Sequence, residues 1–382
     1  MKEKVDMKKP ILLFFIFYVW VYALTSCSVL RAEEVKSEKG VCEASGSLDW
    51  VELADYDGLF YDTKKRLDRG GSINTSNDWY DGVYGMLNTW TGALENCAGN
   101  DYEECSRIIE HMTHLSEQKK TLHNWAGRED WDHIWESTFW NNTSLVVLLN
   151  AYKVASDRVE VPADVHSQIG AWMKKAVKSN KQLYLANVNK SFNNHQLQWL
   201  RANAVYGVLW NDSKALKVSH KGLKTFMKRN KTKEGALKFE AYRGSRALWY
   251  HGRAYMSIFG IADTLESAGI KVYDQELKDA INKSVNFYID ASADNTLIYK
   301  WAKRKKSNDG NYKVQEQGHT GNSWVGMFIN SVGKDYPETI KKLYDSETIQ
   351  EHFFDYLSYA DAGFWEVFDS ECFYPVYKKG KF

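Results

Sequence analysis

Proline occurs only four times among the 382 residues of this chain. Average usage would place about 19 prolines in a chain of this length. Because proline breaks the interior of a helix, this scarcity favours a fold built from long helices. The hydrophobic share of 44% and the charged share of 26% are those of an ordinary globular protein and exclude wholesale disorder.

Apolar residues recur at the spacing of an amphipathic helix in several windows. The windows cover residues 145–152, 169–177, 248–262 and 277–288. Short polar breaks separate such windows, and short connections make antiparallel neighbours. Convincing runs of alternating strands are few. We therefore expect an all-α fold of ten or more helices, arranged as an (α/α) toroid or barrel of antiparallel helix pairs.

The N-terminus has the pattern of an export signal. Lys8 and Lys9 precede a 14-residue apolar run over residues 11–24, which is short for a membrane-spanning helix and suits a signal peptide. The following Leu-Thr-Ser-Cys sequence resembles a bacterial lipobox that ends at Cys27. We expect a signal peptide over residues 1–26, a tether over 27–44 and one catalytic domain over 45–382. Ordinary cleavage near Ala32 is the alternative.

These features predict a periplasmic or outer-membrane lipoprotein of a Gram-negative bacterium, in contact with the membrane only through its lipid anchor. Apart from Cys27, four cysteines remain, which in an exported protein fit two disulfides with three possible connectivities. Cys97 and Cys105 are near enough in sequence to close a small loop. Cys42 and Cys372 would then tie the two ends of the domain together.

The charges nearly cancel, with 50 Lys and Arg against 49 Asp and Glu. A globally basic nucleic-acid-binding protein is therefore not expected, and an anionic partner would need a local basic groove. A polar, glycine-containing segment over residues 58–82 carries Lys64 and Arg66. We interpret this segment either as a solvated connection or as a flexible lid over an anionic ligand.

Nucleotide, zinc-protease and serine-hydrolase signatures are absent from the sequence, so no cofactor and no metal are expected. Asp132 and Glu136 lie four residues apart in a tryptophan-rich segment. Paired carboxylates of this kind could serve a glycoside hydrolase. A hydrolase therefore remains one alternative, and a surface lipoprotein that binds glycans without cleaving them is another.

Two segments carry the side chains of a different chemistry. The first is Asn193-Asn194-His195, and the second runs from residue 240 to residue 251. If the second segment is one helix, Arg243 and Tyr250 lie about 20° apart on one face, with Arg246 about 60° away. A cation beside a phenol favours the phenolate, and such a tyrosine can transfer protons.

β-Elimination from a uronate sugar needs this set of groups. The proton on C5 is weakly acidic because it lies next to a carboxylate, and donors that neutralise the carboxylate stabilise the developing charge. Asparagine, protonated histidine and arginine are suitable donors. A base then removes the C5 proton, and an acid protonates the leaving oxygen O4.

The two segments resemble the mannuronate-cleaving alginate lyases of polysaccharide lyase family 5. That family has an Asn-Asn-His motif, matched at residues 193–195, and an Arg-Gly-x-Arg-Ala-Leu-x-Tyr-His motif, matched at residues 243–251. The resemblance implies an exported helical toroid. It also implies that Asn194, His195 and Arg243 neutralise the carboxylate, and that Tyr250 acts as both base and acid. The chain departs from the family at Gln196-Leu197-Gln198, where the family has aromatic residues.

The stereochemistry of the sugar indicates the substrate. In mannuronate and glucuronate, H5 and O4 lie on the same side of the ring, so that one tyrosine can serve both in a syn elimination. We therefore expect a monomeric lyase for polymannuronate, with glucuronan or another uronate polymer as the alternative. Its substrate-binding residues are predicted to be Asn193, Arg246, Lys64 and Arg66.

Overall fold

The structure, a computed structural model, describes residues 77–117, 131–187, 193–244, 247–302, 324–347 and 349. Side chains are described in these ranges except at residues 77–86, 88, 131–141 and 179–187. The predictions for Cys27, Lys64, Arg66 and Arg246 lie outside the described residues, as do those for Cys42 and Cys372.

Throughout these ranges the regular elements are helices, and the one β-bridge joins Lys231 to Leu237. The all-α prediction is therefore confirmed. The helices are, in chain order, α1 (Asn77–Ala98), α2 (Tyr102–Glu117), α3 (Trp131–Ser156), α4 (Ala163–Asn187), α5 (Asn194–Leu209), α6 (Ser213–Asn230), α7 (Lys238–Ala241), α8 (Ala247–Ser267), α9 (Gln275–Ala293), α10 (Thr296–Tyr299), α11 (Trp324–Asn330) and α12 (Pro337–Asp345), with a short 3-10 helix at Gly333–Asp335.

The long helices alternate between an inner and an outer row. Inner helices contact each other in the order α1, α3, α5, α8 and α11, and the first four of them also contact their sequence neighbours in the outer row. In the outer row α2 packs on α4, and α9 packs on α6 and α12. Short connections between successive helices make the neighbours antiparallel. This alternation is the arrangement of an (α/α) toroid.

Sequence signals define where several helices begin. Asp212 accepts hydrogen bonds from the backbone N–H groups of Lys214 and Ala215, which caps α6. Asp274 caps α9 in the same way through Leu277. Such caps satisfy N–H groups that have no partner within the helix. All four windows with helical spacing lie inside helices, namely α3, α4, α8 and α9.

The inner helices α5 and α8 are buried along most of their length, whereas the outer helix α6 buries one face. One hydrophobic cluster lies around α5, α8, α9 and α11, and a second around α1 to α4. Gly260 of α8 leaves room for the buried side chain of Arg201 on α5, since a Cβ atom there would meet the Arg201 Nε at 2.6 Å. The inner row therefore packs closely enough to bury charged groups.

Two expectations concern the first helices. The irregular segment expected over residues 58–82 is wrong in its last part, because α1 begins at Asn77. The sulfur atoms of Cys97 and Cys105 lie 2.04 Å apart, the distance of a disulfide bond, and link the end of α1 to α2. In the described part of the chain, none of the helices is both long and apolar enough to cross a membrane.

Candidate active site

The N-terminus of α5 places the first motif. Asn193 is the N-cap residue, and its side chain accepts a hydrogen bond from the His195 N–H at 3.2 Å. Asn194 and His195 form the buried first turn. Neither amide atom of the Asn194 side chain has a hydrogen-bond partner among the described residues, although that side chain is only 1% exposed. Buried polar groups are nearly always satisfied, so this amide has the character of a ligand-binding group.

The second motif is not one continuous helix, which corrects the sequence-based expectation. The short helix α7 ends at Ala241, a turn holds Tyr242 and Arg243, and α8 begins at Ala247. Gly244 has a φ of 65°, a left-handed conformation that glycine adopts without strain. Arg243 therefore lies in the turn before α8, whereas Tyr250 lies within α8.

Arg243 and Tyr250 nevertheless meet, as predicted. The guanidinium carbon of Arg243 lies 4.2 Å from the centroid of the Tyr250 ring, which is a cation–π contact. Both side chains are half-buried. Positive charge and a phenol are therefore presented together at a partly open surface.

The aromatic contact continues along α8. Leu248 is buried in the core, whereas Trp249 is half-buried. The half-buried Trp249 ring lies 4.6 Å from the Tyr250 ring, and the guanidinium of Arg253 lies 4.8 Å from the Trp249 ring. The four side chains therefore contact one another in the order Arg243, Tyr250, Trp249 and Arg253, so that two aromatic rings lie between two guanidinium groups.

The imidazole of His195 is neutral, not the cation expected from the chemistry. Burial lowers its pKa well below the ordinary value, and the positive charges of Arg243 and Arg253 lower it further. A neutral imidazole donates one N–H and accepts at its other nitrogen. His195 can therefore donate one hydrogen bond to a carboxylate without first carrying a charge.

Glu240 and Arg253 are site residues that the sequence analysis did not single out as functional. Glu240 is fully buried and accepts a hydrogen bond from the Asn194 backbone N–H at 2.8 Å. Burial raises the pKa of its carboxyl group to about 7, against the opposing effect of Arg243, the Asn194 hydrogen bond and Arg253. The sequence signal for Arg253 is its spacing, three residues after Tyr250 on the same helix.

His251, the last residue of the second motif, fastens α8 to the segment before α7. Its Nδ1 lies 2.7 Å from the Ala247 carbonyl oxygen, and the Leu237 N–H donates to its Nε2 at 2.9 Å. The proton therefore resides on Nδ1. Burial lowers the pKa of His251 to about 4, so the ring stays neutral in the core and supports the site without facing it.

The residues after the first motif have structural contacts. Trp199 is buried and its indole N–H donates to the Val177 carbonyl oxygen. Gln198 accepts a hydrogen bond from the Thr143 hydroxyl at 3.2 Å. Gln196 is buried, and its side-chain oxygen has no hydrogen-bond partner in the described part of the chain. Among Gln196, Gln198 and Trp199, it is therefore Gln196, directly after the first motif, whose side-chain oxygen is left without a hydrogen-bond partner in the described residues.

The carboxylate pair Asp132 and Glu136 lies within α3, in the part whose side chains are not described. Among the side chains that are described, no group of three or more His, Cys, Asp or Glu residues is placed to hold a metal ion. The chemistry available in the described site is therefore that of an amide, an imidazole, two guanidinium groups, a phenol and a buried carboxyl group.

Comparison with known proteins identifies the class of protein that has this fold and site. The family model described as "Alginate lyase" matches residues 35–298, so the chain belongs to the alginate lyase family. It is a polysaccharide lyase. The match includes both motifs and all the site residues described above.

Solved structures share the fold. Alginate lyase A1-III in complex with a tetrasaccharide, in a tyrosine-to-phenylalanine variant, is 13% identical with a TM-score of 0.54, covering 76% of this chain and 78% of that one. Alginate lyase A1-III from Sphingomonas species A1 is also 13% identical with a TM-score of 0.54, covering 68% and 72%. At this identity the likeness shows the fold alone, the (α/α) toroid. No curated protein sequence matches the chain.

Proposed function

We propose that this lyase cleaves β-1,4-linked mannuronate in alginate by syn β-elimination, with Tyr250 as both base and acid. The observation that carries the proposal is the contact between Arg243 and the Tyr250 ring. The buried amide of Asn194, which has no hydrogen-bond partner among the described residues, is linked to the same turn through Glu240. The similar solved structures are of an alginate lyase, one of them with a bound tetrasaccharide, which agrees with an anionic sugar polymer as substrate.

Three groups would hold the sugar carboxylate. The Asn194 amide and one N–H of His195 donate from the buried side, and Arg243 supplies a permanent positive charge. As the C5–H bond breaks, negative charge moves onto the carboxylate. Donors already fixed in place stabilise that charge without reorganising, which lowers the barrier. Asn193 contributes by capping α5, and Arg246, Lys64 and Arg66 are proposed to contact neighbouring sugars.

Tyr250 would carry the proton between the two reacting atoms. As phenolate it accepts H5, the electrons of the C5–H bond form the C4=C5 double bond, and the C4–O4 bond breaks toward O4. The phenol then returns the proton to O4, so the phenolate is regained and no further reagent is consumed. One side chain on one face suffices because H5 and O4 lie on the same side of a mannuronate ring.

The proposal is tested by the ultraviolet absorbance of the conjugated unsaturated uronate that only a lyase forms. Polymannuronate, polyguluronate, glucuronan and hyaluronan are each incubated with the purified protein. Polymannuronate is expected to react fastest, and the rate is expected to fall with added salt because the exposed charges are screened. New chain ends without absorbance would indicate a hydrolase, and binding without new ends a glycan-binding protein. A rate on polyguluronate that equals or exceeds the rate on polymannuronate would contradict a catalyst that acts from a single face.

The location of the enzyme is part of the proposal. The apolar run over residues 11–24 and the lipobox-like sequence at Cys27 support export and a lipid anchor on a Gram-negative cell. A monomer tethered there would reach polymers too large to enter the cell.

A further inference from the structure

Glu240 has an ionisable side chain that is completely buried, and burying a carboxyl group costs free energy. It is 0% exposed and lies on the short helix α7. One carboxyl oxygen, Oε1, accepts the Asn194 N–H, while Oε2 is buried without a hydrogen-bond partner among the described residues. A buried carboxyl oxygen without a partner costs free energy that an apolar residue of similar size would avoid. Packing alone therefore does not explain a glutamate here.

The hydrogen bond from Asn194 to Glu240 joins the two halves of the site across 46 residues of sequence. The first N–H groups of a helix have no partner within it, and Glu240 satisfies the one that belongs to Asn194. The side-chain amide of Asn194 is left for another partner. Because Glu240 lies three residues before Arg243, the same bond fixes the start of α5 relative to the turn that carries Arg243.

The charges around Glu240 are those of the carboxylate-binding set. Arg243 on its own turn and Arg253 on α8 both act on it, and both also act on His195 of α5. His251 of α8, which bonds to Leu237 just before α7, is neutral. Burial outweighs the two arginines and raises the Glu240 pKa to about 7, so protonated and ionised forms coexist near neutral pH.

An entering uronate would bring a second carboxylate next to the same arginines. Two carboxylates that share a site oppose each other's ionisation. We propose that Glu240 is a positioning residue, which holds Asn194 and Arg243 for carboxylate binding and takes up a proton when the substrate carboxylate enters. The inference rests on the proposed function, since it needs a uronate at Asn194 and Arg243.

The experiment compares Glu240→Gln and Glu240→Ala with wild type, after wild type has been shown to form unsaturated product. Glutamine retains an acceptor for the Asn194 N–H and mimics the protonated form. Its kcat/KM should stay close to that of wild type below pH 7 and should lack the decline that Glu240 ionisation causes above pH 7. Alanine removes the acceptor and should lower kcat by about 10- to 100-fold with a smaller change in KM, because the donors are misplaced.

Proton uptake is measured directly by calorimetry of an oligomannuronate binding to Tyr250→Phe, which should not turn it over. Titrations at pH 7 in two buffers of different ionisation enthalpy should show net proton uptake, and Tyr250→Phe/Glu240→Gln should show none. Glu234→Gln is the matched control, because it removes an exposed carboxylate paired with Lys300 and should retain both the pH profile and the uptake.

The outcomes separate the two proposals. If wild type forms no unsaturated product from any uronate polymer, the proposed function fails and the role of Glu240 fails with it. If wild type is active, but Glu240→Gln keeps the wild-type pH profile and proton uptake, only the role of Glu240 is overturned. A folded Glu240→Ala with wild-type kcat overturns the positioning role. If Glu240→Ala does not fold, a folded Glu240→Gln whose kcat/KM below pH 7 lies well below that of wild type overturns it instead, because glutamine keeps the acceptor.

Discussion

The guanidinium carbon of Arg243 lies 4.2 Å from the centroid of the Tyr250 ring, although a turn and a left-handed glycine separate the two residues. The contact brings the charge that would bind the substrate carboxylate to the group that would move its proton. In a β-elimination these two tasks are performed on adjacent atoms, so the groups responsible must be neighbours.

Replacing Tyr250 with phenylalanine removes one oxygen and retains the ring beneath Arg243. Turnover of polymannuronate should fall by about 10⁴-fold, the upper end of the range for general acid–base catalysis, because one group performs both proton transfers. Tyr206→Phe, at the far end of α5, is the control and should have wild-type turnover. Near-normal turnover by a folded Tyr250→Phe protein would show that another group moves the proton.

The three proposed carboxylate donors should affect kcat more than KM. Asn194→Ala, His195→Ala and Arg243→Ala should each lower kcat by about 10²- to 10³-fold, as the loss of one oxyanion-type donor does, because their contacts strengthen as charge builds. Arg243→Lys should recover only part of the loss, since an ammonium group keeps the charge but loses the planar contact with the Tyr250 ring. Steady-state kinetics separate the effect of each variant on kcat from its effect on KM. An effect on KM alone at all three positions would mean that these residues only hold substrate.

His251 should make the fold sensitive to acid. Its pKa is lowered from 6.5 to about 4 by burial, so the stability that it contributes is complete above pH 6.5 and is lost as pH falls through 4. Between pH 7 and pH 4 the unfolding free energy of wild type should fall by about 3 kcal/mol relative to His251→Gln.

Urea unfolding at several pH values measures this difference. The comparison with a variant is needed because Glu240 acts in the opposite direction. The raised pKa of Glu240 makes its contribution complete below pH 4.5, and that contribution is lost as pH rises through about 7. An unfolding free energy that depends on pH equally in wild type and His251→Gln would contradict the neutral, buried imidazole.

The pair Cys97 and Cys105 should form a disulfide in an oxidising compartment, which the proposed export would provide. The bond joins residues eight apart in sequence and in the chain-entropy model contributes about 2–3 kcal/mol to stability. Cys97→Ala/Cys105→Ala should lose about that amount in urea unfolding. Mass spectrometry of a non-reduced digest should find residues 97 and 105 in one linked fragment. Free thiols at both positions in protein purified without reductant from an oxidising compartment would contradict the bond.

Cys27→Ser should release the protein from membranes, because serine cannot carry the lipid of a lipoprotein. Cell fractionation of the native host measures the distribution, and a variant at Ser28 is the control that should stay attached. A soluble wild-type protein that begins near residue 33 would instead indicate ordinary cleavage after Ala32.

The helical fold could be predicted from the sequence, and the candidate site residues could be proposed from it, because both rest on local sequence patterns. Apolar spacing identifies a helix face, and the motifs at 193–195 and 243–251 keep their own internal spacing. The break between Arg243 and Tyr250 could not be predicted, since a glycine within a helical pattern is compatible with either a helix or a turn. The environments of His195 and Glu240 depend on neighbours distant in sequence, so burial and the resulting neutral imidazole appear only in the folded chain.

The left-handed conformation of Gly244 has a consequence for how Arg243 and Tyr250 are brought together. A single helix would align Arg243 with Tyr250 through its own backbone, even in an isolated peptide. Here the alignment depends on the packing of α5 and α8 and on the bonds that anchor the segment before α7. A peptide spanning residues 238–267 would carry every atom of the pair and still leave the two side chains apart, so this part of the active site is a product of tertiary structure.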